Sequence, residues 1–357
     1  MKQKYENYFK KKIILNLLIF LLLTCSSESI FSQLGNLQKI KHEYNILGSS
    51  SPRGISLVGE TLYIAAMHLF KKENGKVEKI DLSDSYEFIN DIVNVSGKTY
   101  LLAQNKKAEL EVCELNGKDW TLKFKKPLKA YKFLKSVGND GIKEAYILAI
   151  DKNNKERIFN LEGVDKTPSQ ATENDKFYQI SNEGNLITGN SLKVWQIHNN
   201  TYTNIDYQQA KEIMPIIKTN IRGFSEILVM TGGYNSLETK FKMYSNANNY
   251  TTPIFIQDEV GEFSGYFARE FNDVILIGSN NGFAEFTKNK EGIFALQAPS
   301  KSVEPGAYNG SQLGKTGLND IIPVSNNTIY ILTQGKGLWK FWIINFTLII
   351  HNLNSQI

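Results

Sequence analysis

The stretch NNTIYILTQGKGLWKF at residues 326–341 has the same order of features as NDVILIGSNNGFAEF at residues 272–286. In both stretches, turn-forming residues precede an apolar strand that ends in a small residue, and a Gly-containing turn leads into an aromatic-rich strand. A chain that repeats such a unit is built from copies of one supersecondary structure. The two stretches therefore predict a repeat architecture made of short strands.

The apolar strand of this unit occurs seven times along the chain. The copies are TLYIAA (61–66), TYLLAQ (99–104), AYILAI (145–150), NLITG (185–189), ILVMTG (227–232), VILIGS (274–279) and TIYILT (328–333). Successive copies lie 37, 46, 40, 42, 47 and 55 residues apart when they are anchored on Tyr63, Tyr100, Tyr146, Leu186, Leu228, Ile275 and Tyr330. Repeats of about 40–50 residues made of short strands are typical of β-propeller blades.

Turn-forming residues on both sides of each copy extend the unit to four strands. Gly59 and Gly97 precede two of the copies, and Asn74-Gly75, Asn116-Gly117 and Glu291-Gly292 follow others downstream. Such turns join neighbouring antiparallel strands into hairpins. We therefore predict an all-β fold, a β-propeller of about seven four-stranded blades. The alternative is an all-β sandwich in which the spacing arises by chance.

A propeller has to close its ring, because an unpaired blade edge is exposed to aggregation. The segment LQKIKHEYNI at residues 37–46 precedes the first blade and has no blade of its own. We expect this N-terminal strand to pair into the last blade as its outer strand. The two tryptophans of the predicted third strands, Trp195 and Trp339, are expected to pack between blades rather than to stack on a sugar.

The phrases NDIIPVSNNTIYILTQGKGLWKF and NDVILIGSNNGFAEF resemble the two-component regulator propeller repeat. That repeat forms the sensor module outside the membrane in hybrid histidine kinases of Bacteroides-like bacteria. The resemblance is good over residues 264–294 and 318–341, fair over 53–82 and poor over 130–260. It implies a propeller fold and a sensor-like role. Because no kinase or DNA-binding segment accompanies the repeats, it implies sensing without transmission.

The N-terminus reads as an export signal. A lysine-rich stretch, MKQKYENYFKKK, leads into the apolar run IILNLLIFLLLT, which is too short to span a bilayer comfortably. Cleavage after Ser32 is one alternative, and lipidation of Cys25 in a lipobox-like Leu-Leu-Thr-Cys sequence is the other. We expect residues 1–32 to be a signal peptide, 33–350 the propeller and 351–357 a tail. The predicted location is the periplasm, the cell surface or the medium.

The charge and cysteine content exclude some classes of function. The whole chain has 41 basic and 36 acidic residues, and removal of residues 1–32 leaves 36 and 34. No basic stripe remains, which argues against nucleic-acid binding. Cys113 is then the single thiol apart from Cys25, and its alternating surroundings ELEVCEL predict a small apolar strand residue.

No motif for catalysis, a metal or a cofactor is found in the sequence. The four histidines, His42, His68, His198 and His351, lack the spacing of metal ligands. Nucleophile-elbow and phosphate-binding sequences are likewise missing. We predict no catalytic residues, no metal and no cofactor. The alternative is a secreted polysaccharide-acting enzyme, a glycoside hydrolase or lyase, with paired carboxylates on the propeller.

The predicted ligand-binding site is the channel mouth, where the chain passes into each innermost strand. Arg53, Asp91 and Asp320 each directly precede such a strand in our assignment, and Glu262 and Tyr266 are expected to lie nearby. For the two aspartates the alternative is a structural Asx turn. We therefore expect an exported binding or sensor-like module without catalysis. Its expected partner is an extracellular ligand, including carbohydrate, or a protein, with membrane contact only through the signal or a lipid anchor.

Overall fold

The computed structural model describes residues 47, 50–82, 86–138, 141–180, 185–188, 193–197, 201–204, 213–219, 225–231, 240–245, 253–257, 265–271, 274–279, 282–288, 294–297, 316–325 and 328–342. The chain divides into two compact units, Met1–Lys39 and Ile40–Ile357, and the described residues all belong to the second. Every regular element in the described ranges is a β-strand. These strands form seven antiparallel sheets, which we number 1 to 7 in chain order.

The first three sheets are formed by residues 54–159. Sheet 1 consists of β1 (Gly54–Val58), β2 (Thr61–Ala66), β3 (His68–Glu73) and β4 (Lys76–Ile80). Sheet 2 consists of β5 (Tyr86–Val95), β6 (Lys98–Asn105), β7 (Leu110–Asn116) and β8 (Asp119–Lys126). Sheet 3 consists of β9 (Lys129–Gly138), β10 (Gly141–Ile150) and β11 (Glu156–Phe159).

The other four sheets follow in the same order along the chain. Sheet 4 consists of β12 (Phe177–Ile180), β13 (Asn185–Thr188), β14 (Lys193–Gln196) and β15 (Thr201–Asn204). Sheet 5 consists of β16 (Ile213–Thr219), β17 (Ser225–Thr231), β18 (Lys240–Ser245) and β19 (Pro253–Gln257). Sheet 6 consists of β20 (Gly265–Phe271), β21 (Val274–Ser279), β22 (Gly282–Lys288) and β23 (Phe294–Gln297). Sheet 7 consists of β24 (Leu318–Ser325), β25 (Thr328–Thr333) and β26 (Leu338–Trp342).

The predicted all-β fold of antiparallel four-stranded sheets is confirmed. Each of the seven apolar strands found in the sequence is the second strand of its sheet, paired with the strands before and after it. Within the described residues, sheets 3 and 7 have three strands each and not the expected four. After β11 the chain makes a turn capped by the Asn160 side chain, which accepts hydrogen bonds from the backbone N–H groups of Glu162 and Val164. Only a single bridge, between Phe159 and Asp165, continues the ladder there.

The turns between strands use the residues that tight hairpins require. Asn74 and Gly75 have φ values of 51° and 78° in the β3–β4 connection. Ser96 and Gly97 have φ values of 52° and 81° between β5 and β6. Two consecutive residues with positive φ form the primed turn whose twist matches that of the flanking strands. The turn residues read from the sequence therefore set the register of these hairpins.

Neighbouring sheets pack face to face through apolar side chains. Successive residues of β6 pack against opposite neighbouring sheets: Leu101 packs in a cluster with sheet 1, whereas Leu102 packs in a cluster with sheet 3. This is the two-residue period of a strand buried on both faces. A further cluster joins Ile64 of sheet 1 to Leu332 and Leu338 of sheet 7. Full burial of each such side chain stabilises the fold by about 1.5–3 kcal/mol.

Two expectations about single residues are confirmed by burial. Trp195 is 1% exposed in a cluster shared by sheets 3 and 4, and Trp339 is buried as well, with 4% exposed, while its packing between two sheets stays a prediction. Cys113 is buried in the cluster between sheets 1 and 2, and its Sγ lies 3.2 Å from the hydroxyl of Tyr86. Burial raises the pKa of the Cys113 thiol, so it behaves as a core residue rather than a reactive one.

The first strands of the sheets converge on one another. The first strands of consecutive sheets are in contact from sheet 1 to sheet 7, and so are those of sheets 7 and 1. Strand β9 also contacts β20 and β24. These strands therefore form the centre of the assembly. The predicted closing strand at residues 37–46 lies outside the described residues, as do the N-terminal segment with Cys25, and the tail.

Candidate functional site at the inner strands

The first strands of most sheets contain the same irregularity near their N-terminal ends. In five of the seven described sheets, this strand has one residue more than its partner, which is the geometry of a β-bulge. The extra residues are Asn90, Tyr131, Tyr178, Tyr266 and Asn319. Arg53, which directly precedes β1, occupies the equivalent place in sheet 1, since the residue after it pairs with Ala65.

Four of the five residues of the predicted site fall at this end of the inner strands. Arg53 and Tyr266 occupy the bulge position, and Asp91 and Asp320 follow it directly. The sequence placed the aspartates in the loops before the strands, whereas both lie inside β5 and β24, because the bulge lets the ladder start earlier. Glu262 lies outside the described residues. The ligand-binding role of these residues stays a prediction.

Asp91 is buried, with 2% of its surface exposed. Its Oδ1 accepts hydrogen bonds from the Ile92 backbone N–H at 2.8 Å and from Lys135 Nζ at 2.8 Å. Its Oδ2 accepts a hydrogen bond from the Phe133 backbone N–H at 2.9 Å. Lys135 Nζ also donates to the carbonyl of Arg53 at 3.4 Å. The carboxylate therefore joins sheets 1, 2 and 3 rather than standing open to a ligand.

Asp320 is 4% exposed and takes part in the same charge cluster. Its Oδ1 accepts hydrogen bonds from Arg269 Nε at 2.8 Å and from the Ile321 backbone N–H at 2.8 Å. Its Oδ2 lies 3.6 Å from Lys135 Nζ. Two buried carboxylates and two buried cations thus meet at the centre, which compensates the cost of removing each charge from water.

The two carboxylates differ in their electrostatics. Burial raises the pKa of Asp91, and the nearby Lys135 offsets this only in part. Burial also acts to raise the pKa of Asp320, but Arg269 and Lys135 together outweigh it, so that pKa is lowered. Burial and repulsion by Arg269 lower the pKa of Lys132, which lies beside the cluster on β9. The pKa values of the two carboxylates are therefore shifted in opposite directions, although both groups are buried.

The hydrogen bonds of the two aspartates are structural, but each carboxylate accepts the N–H of the next residue and not of the one after it, so they differ from the Asx turn given as the alternative. Both residues belong to an Asn-Asp-Ile sequence, at 90–92 and 319–321, and each carboxylate accepts the N–H of the isoleucine that follows it. The asparagine of each sequence donates a hydrogen bond to the next sheet. Asn90 Nδ2 donates to the Ala130 carbonyl at 3.2 Å, and Asn319 Nδ2 donates to the Pro52 carbonyl at 2.8 Å.

Sequence reasoning missed the two cations of the cluster, Lys135 and Arg269. Both lie inside strands, in KAYKFLKSVG and GYFAREF, with buried neighbours. The available signal was a long cation at an inner-strand position near large apolar residues, Leu134 for Lys135 and Phe267 for Arg269, because such side chains are seldom buried without a partner. Their partners were not available from the sequence, since Lys135 and Asp91 are 44 residues apart.

A second group of side chains stands exposed at this end of the inner strands. We call it the mouth face and define it by Arg53, Met67, Phe88 and Tyr131. Met67 is 58%, Phe88 39% and Tyr131 45% exposed, and Arg53 is also exposed. A backbone hydrogen bond links Met67 to the residue after Phe88, since the Ile89 N–H donates to the Met67 carbonyl at 3.0 Å. Asn90 Nδ2 lies 3.5 Å from the Tyr131 carbonyl.

The described residues contain no group of three His, Cys, Asp or Glu side chains placed to hold a metal ion. Within the same ranges there is also no helix long and apolar enough to cross a membrane.

Comparison with solved structures identifies the fold as propeller-like. YCF48 from Cyanidioschyzon merolae matches with a TM-score of 0.54 and 12% identity, over 84% of this chain and 98% of that one. YCF48 bound to D1 peptide matches with a TM-score of 0.56 and 11% identity, over 85% and 97%. Chaetomium thermophilum Sqt1, bound to the N-terminus of the ribosomal protein L10, matches with a TM-score of 0.53 and 10% identity, over 84% and 98%. These neighbours are β-propellers, and at such low identity they establish the fold alone.

At the level of sequence, an uncharacterized protein of Borreliella burgdorferi is 91% identical over 340 residues, which cover 95% of this chain and 97% of that protein. The chain belongs to the same family as this Borreliella burgdorferi protein. No family model matches the sequence. The resemblance to two-component regulator propellers is therefore supported only as far as a propeller-like fold.

Proposed function

We propose that this propeller is a protein-binding module without catalytic activity, and that the mouth face is its binding surface. The observation that carries the proposal is the contrast at the ends of the inner strands. The carboxylates there are buried and accept hydrogen bonds from donors of the protein, while methionine, phenylalanine, tyrosine and arginine side chains at the same strand ends are exposed.

The composition of the mouth face supports a protein partner. Aromatic residues, methionine and arginine are enriched at protein interfaces, and tyrosine and arginine supply much of the binding energy there. The structural neighbours agree with this in kind, because YCF48 has been solved with a D1 peptide and Sqt1 with the N-terminus of L10. A peptide or a protein segment is therefore the ligand class that we propose.

Photo-crosslinking tests the proposal. A photoreactive phenylalanine analogue replaces Tyr131 or Phe88, and in the matched control it replaces Leu122, which is 53% exposed on the outer strand of sheet 2. In Borreliella burgdorferi cells we expect one discrete crosslinked polypeptide from positions 131 and 88 and none from 122. The crosslinked protein, once identified and purified, should bind the Tyr131→Ala variant at least tenfold more weakly. Equal crosslinking at all three positions, or unchanged affinity, would overturn the proposal.

We also propose that the seven sheets are seven blades of a closed ring, with residues 37–46 as the outer strand of sheet 7. Contacts between the first and last sheets support closure: the Asn319 amide donates to Pro52, and the Gly337 N–H donates to the Ser50 carbonyl at 3.2 Å. Deletion of residues 33–47 should then expose the edge of sheet 7 and cause aggregation or a large fall in Tm. A deleted protein that melts within about 2 °C of the full chain, a shift corresponding to about 1 kcal/mol, would rule this strand out.

Export completes the proposal and places the partner outside the cytoplasm, in the manner of a sensor-like module. The basic and apolar stretches of residues 1–32 support it. Cell fractionation should find a shortened chain outside the cytoplasm. Labelling with an alkyne fatty acid would separate lipidation at Cys25 from cleavage after Ser32. Full-length chain found in the cytosol would contradict export.

A further inference from the structure

A pocket of about 370 Å³ opens between sheets 1 and 2, directly beside Met67 of the mouth face. Leu69, Ile80 and Ile89 contribute an apolar floor, and Leu69 and Ile89 belong to the buried cluster between the two sheets. A pocket of this size lies at the lower end of the range of ligand pockets, about 300–1,000 Å³. The floor chemistry therefore favours an aliphatic group.

The rim of the pocket is basic. Lys79 and Lys106 line it, together with the carboxylate of Asp81. Neither lysine is in an ion pair within the part of the chain that the structure describes. Lysines elsewhere on the same two sheets do have carboxylate partners, as in Lys71 with Glu78 at 3.4 Å and Lys123 with Glu114 at 3.2 Å. The two rim cations are thus available to a negatively charged partner.

Met67 links the pocket to the mouth face. Its φ of 62° lies in the left-handed region, which a residue with a side chain seldom adopts. Its carbonyl accepts the Ile89 N–H at 3.0 Å, so the neighbouring sheet holds this conformation in place. The exposed thioether is a flexible apolar group that adapts to different shapes. It is well suited to cover an apolar side chain that has entered the pocket.

We propose that the pocket between sheets 1 and 2 receives a leucine-sized side chain of an extended partner segment whose flanking residues are aspartate or glutamate. The apolar side chain enters the floor, and the flanking carboxylates pair with Lys79 and Lys106. This inference rests on the proposed function, because it names the chemistry of the protein partner that the mouth face would bind.

The test uses three fluorescein-labelled eight-residue peptides and the full chain without its first 32 residues if fractionation shows that they are removed, or the full chain otherwise. One peptide has a central leucine flanked by aspartates, the second has alanine in place of the leucine, and the third has lysines in place of the aspartates. Fluorescence anisotropy should show binding of the first peptide, and at least tenfold weaker binding of the other two.

Charge reversal at the rim provides the decisive comparison. The double variant Lys79→Glu/Lys106→Glu should bind the aspartate peptide at least tenfold more weakly and should bind the lysine peptide more tightly than the unchanged protein does. This gain separates a rim effect from misfolding. The matched control, Lys76→Glu/Lys118→Glu, changes the charge equally on the same two sheets at exposed positions away from the pocket, and it should leave the binding of the aspartate peptide within twofold.

The outcomes separate this inference from the proposed function. Binding of the three peptides that does not depend on the leucine, or that is lost equally in both double variants, would overturn the inference. If crosslinking at positions 131 and 88 still identifies a partner in that case, the proposed function stands and only the pocket chemistry is wrong. If crosslinking fails as well, both proposals fail.

Discussion

The contact between sheets 2 and 3 and the contact between sheets 7 and 1 are built from the same three residues, Asn-Asp-Ile. In both, the asparagine amide reaches a carbonyl of the following sheet, Ala130 in one case and Pro52 in the other. In both, the aspartate accepts the N–H of the next residue at 2.8 Å. A repeated local sequence thus performs the same structural task at two places that are far apart in the chain.

The aspartates of these two contacts pair with cations on different sides, one on the following sheet and the other on the preceding sheet. Asp91 reaches forward to the following sheet, to the Phe133 N–H and to Lys135. Asp320 is paired with Arg269 of the preceding sheet and lies 3.6 Å from Lys135, which belongs to sheet 3. The comparison teaches that the three-residue sequence determines the local hydrogen bonds, whereas the packing of the first strands against one another determines the charges around each aspartate. Opposite pKa directions at equivalent positions follow from this.

The largest expected effect comes from removing the cation that the two contacts share. Lys135→Met leaves Asp91 without a side-chain cation among its described partners and takes one of two from Asp320. Breaking a buried pair in this way costs about 3–5 kcal/mol. Urea unfolding should show that loss, while the control Lys118→Met, in an exposed turn, should be unchanged. A difference below about 0.5 kcal/mol, the scale of an ordinary surface substitution, would mean that the cluster does not hold the inner strands together.

A smaller loss is expected where sheet 1 meets Asp91. A Cβ at Gly54 would lie 1.9 Å from Asp91 Oδ1 and 2.7 Å from the Ile92 backbone nitrogen. Backbone atoms cannot move aside cheaply, so Gly54→Ala should destabilise the fold by about 1–3 kcal/mol, as overpacking does in other cores. The control Leu57→Ala lies on the same strand, where Leu57 is 41% exposed. Thermal melting that gives equal Tm values for the two variants would contradict the close approach of sheets 1 and 2.

Local features of the fold could be predicted from the sequence, whereas pairings between distant residues could not. The seven second strands were found because apolar runs between turn residues are local signals. Asp91 and Asp320 were recognised as special, and a structural Asx turn was the alternative considered. Lys135 and Arg269 were not identified, because pairing across 44 and 51 residues depends on how the sheets converge. The exposure of Met67 likewise follows from a positive φ that no local rule predicts for methionine.

The two aspartates should respond differently to neutralisation and to pH. The pKa of Asp320 is lowered in the fold, so its ionised form stabilises the protein above its unfolded pKa of about 3.9, and that contribution is lost as the pH falls through the folded value. The pKa of Asp91 is raised, so its contribution is present below the unfolded pKa and is lost as the pH rises through the folded value.

At pH 7 we therefore expect Asp320→Asn to cost about 2 kcal/mol, the scale of lost charge-assisted hydrogen bonds, and Asp91→Asn to cost less. Urea unfolding of the wild type and both variants at pH 7 and again near pH 3, below the unfolded pKa of about 3.9, would measure this. The deficit of Asp320→Asn should shrink at the lower pH. If Asp91→Asn proves the more damaging variant at pH 7, the opposite electrostatics of the two contacts would be refuted.

The smallest expected difference is between the two asparagines. Asn319 Nδ2 donates to Pro52 at 2.8 Å and lies 3.4 Å from the Thr333 carbonyl. Asn319→Ala should therefore cost about 1–1.5 kcal/mol, because it removes a hydrogen bond between the ends of the chain and leaves the Pro52 carbonyl without that donor.

Asn90→Ala removes a longer hydrogen bond, to Ala130, but it also removes a buried Oδ1 that has no hydrogen-bond partner among the described residues. Loss of an unsatisfied polar atom offsets the loss of the bond, so we expect a cost below about 1 kcal/mol. Paired urea titrations of the two variants resolve such a difference when the slopes are equal. Equal costs would show that the Asn90 oxygen is satisfied in solution. A larger cost at Asn90 would place more of the stability in the contact between sheets 2 and 3 than in the contact between sheets 7 and 1.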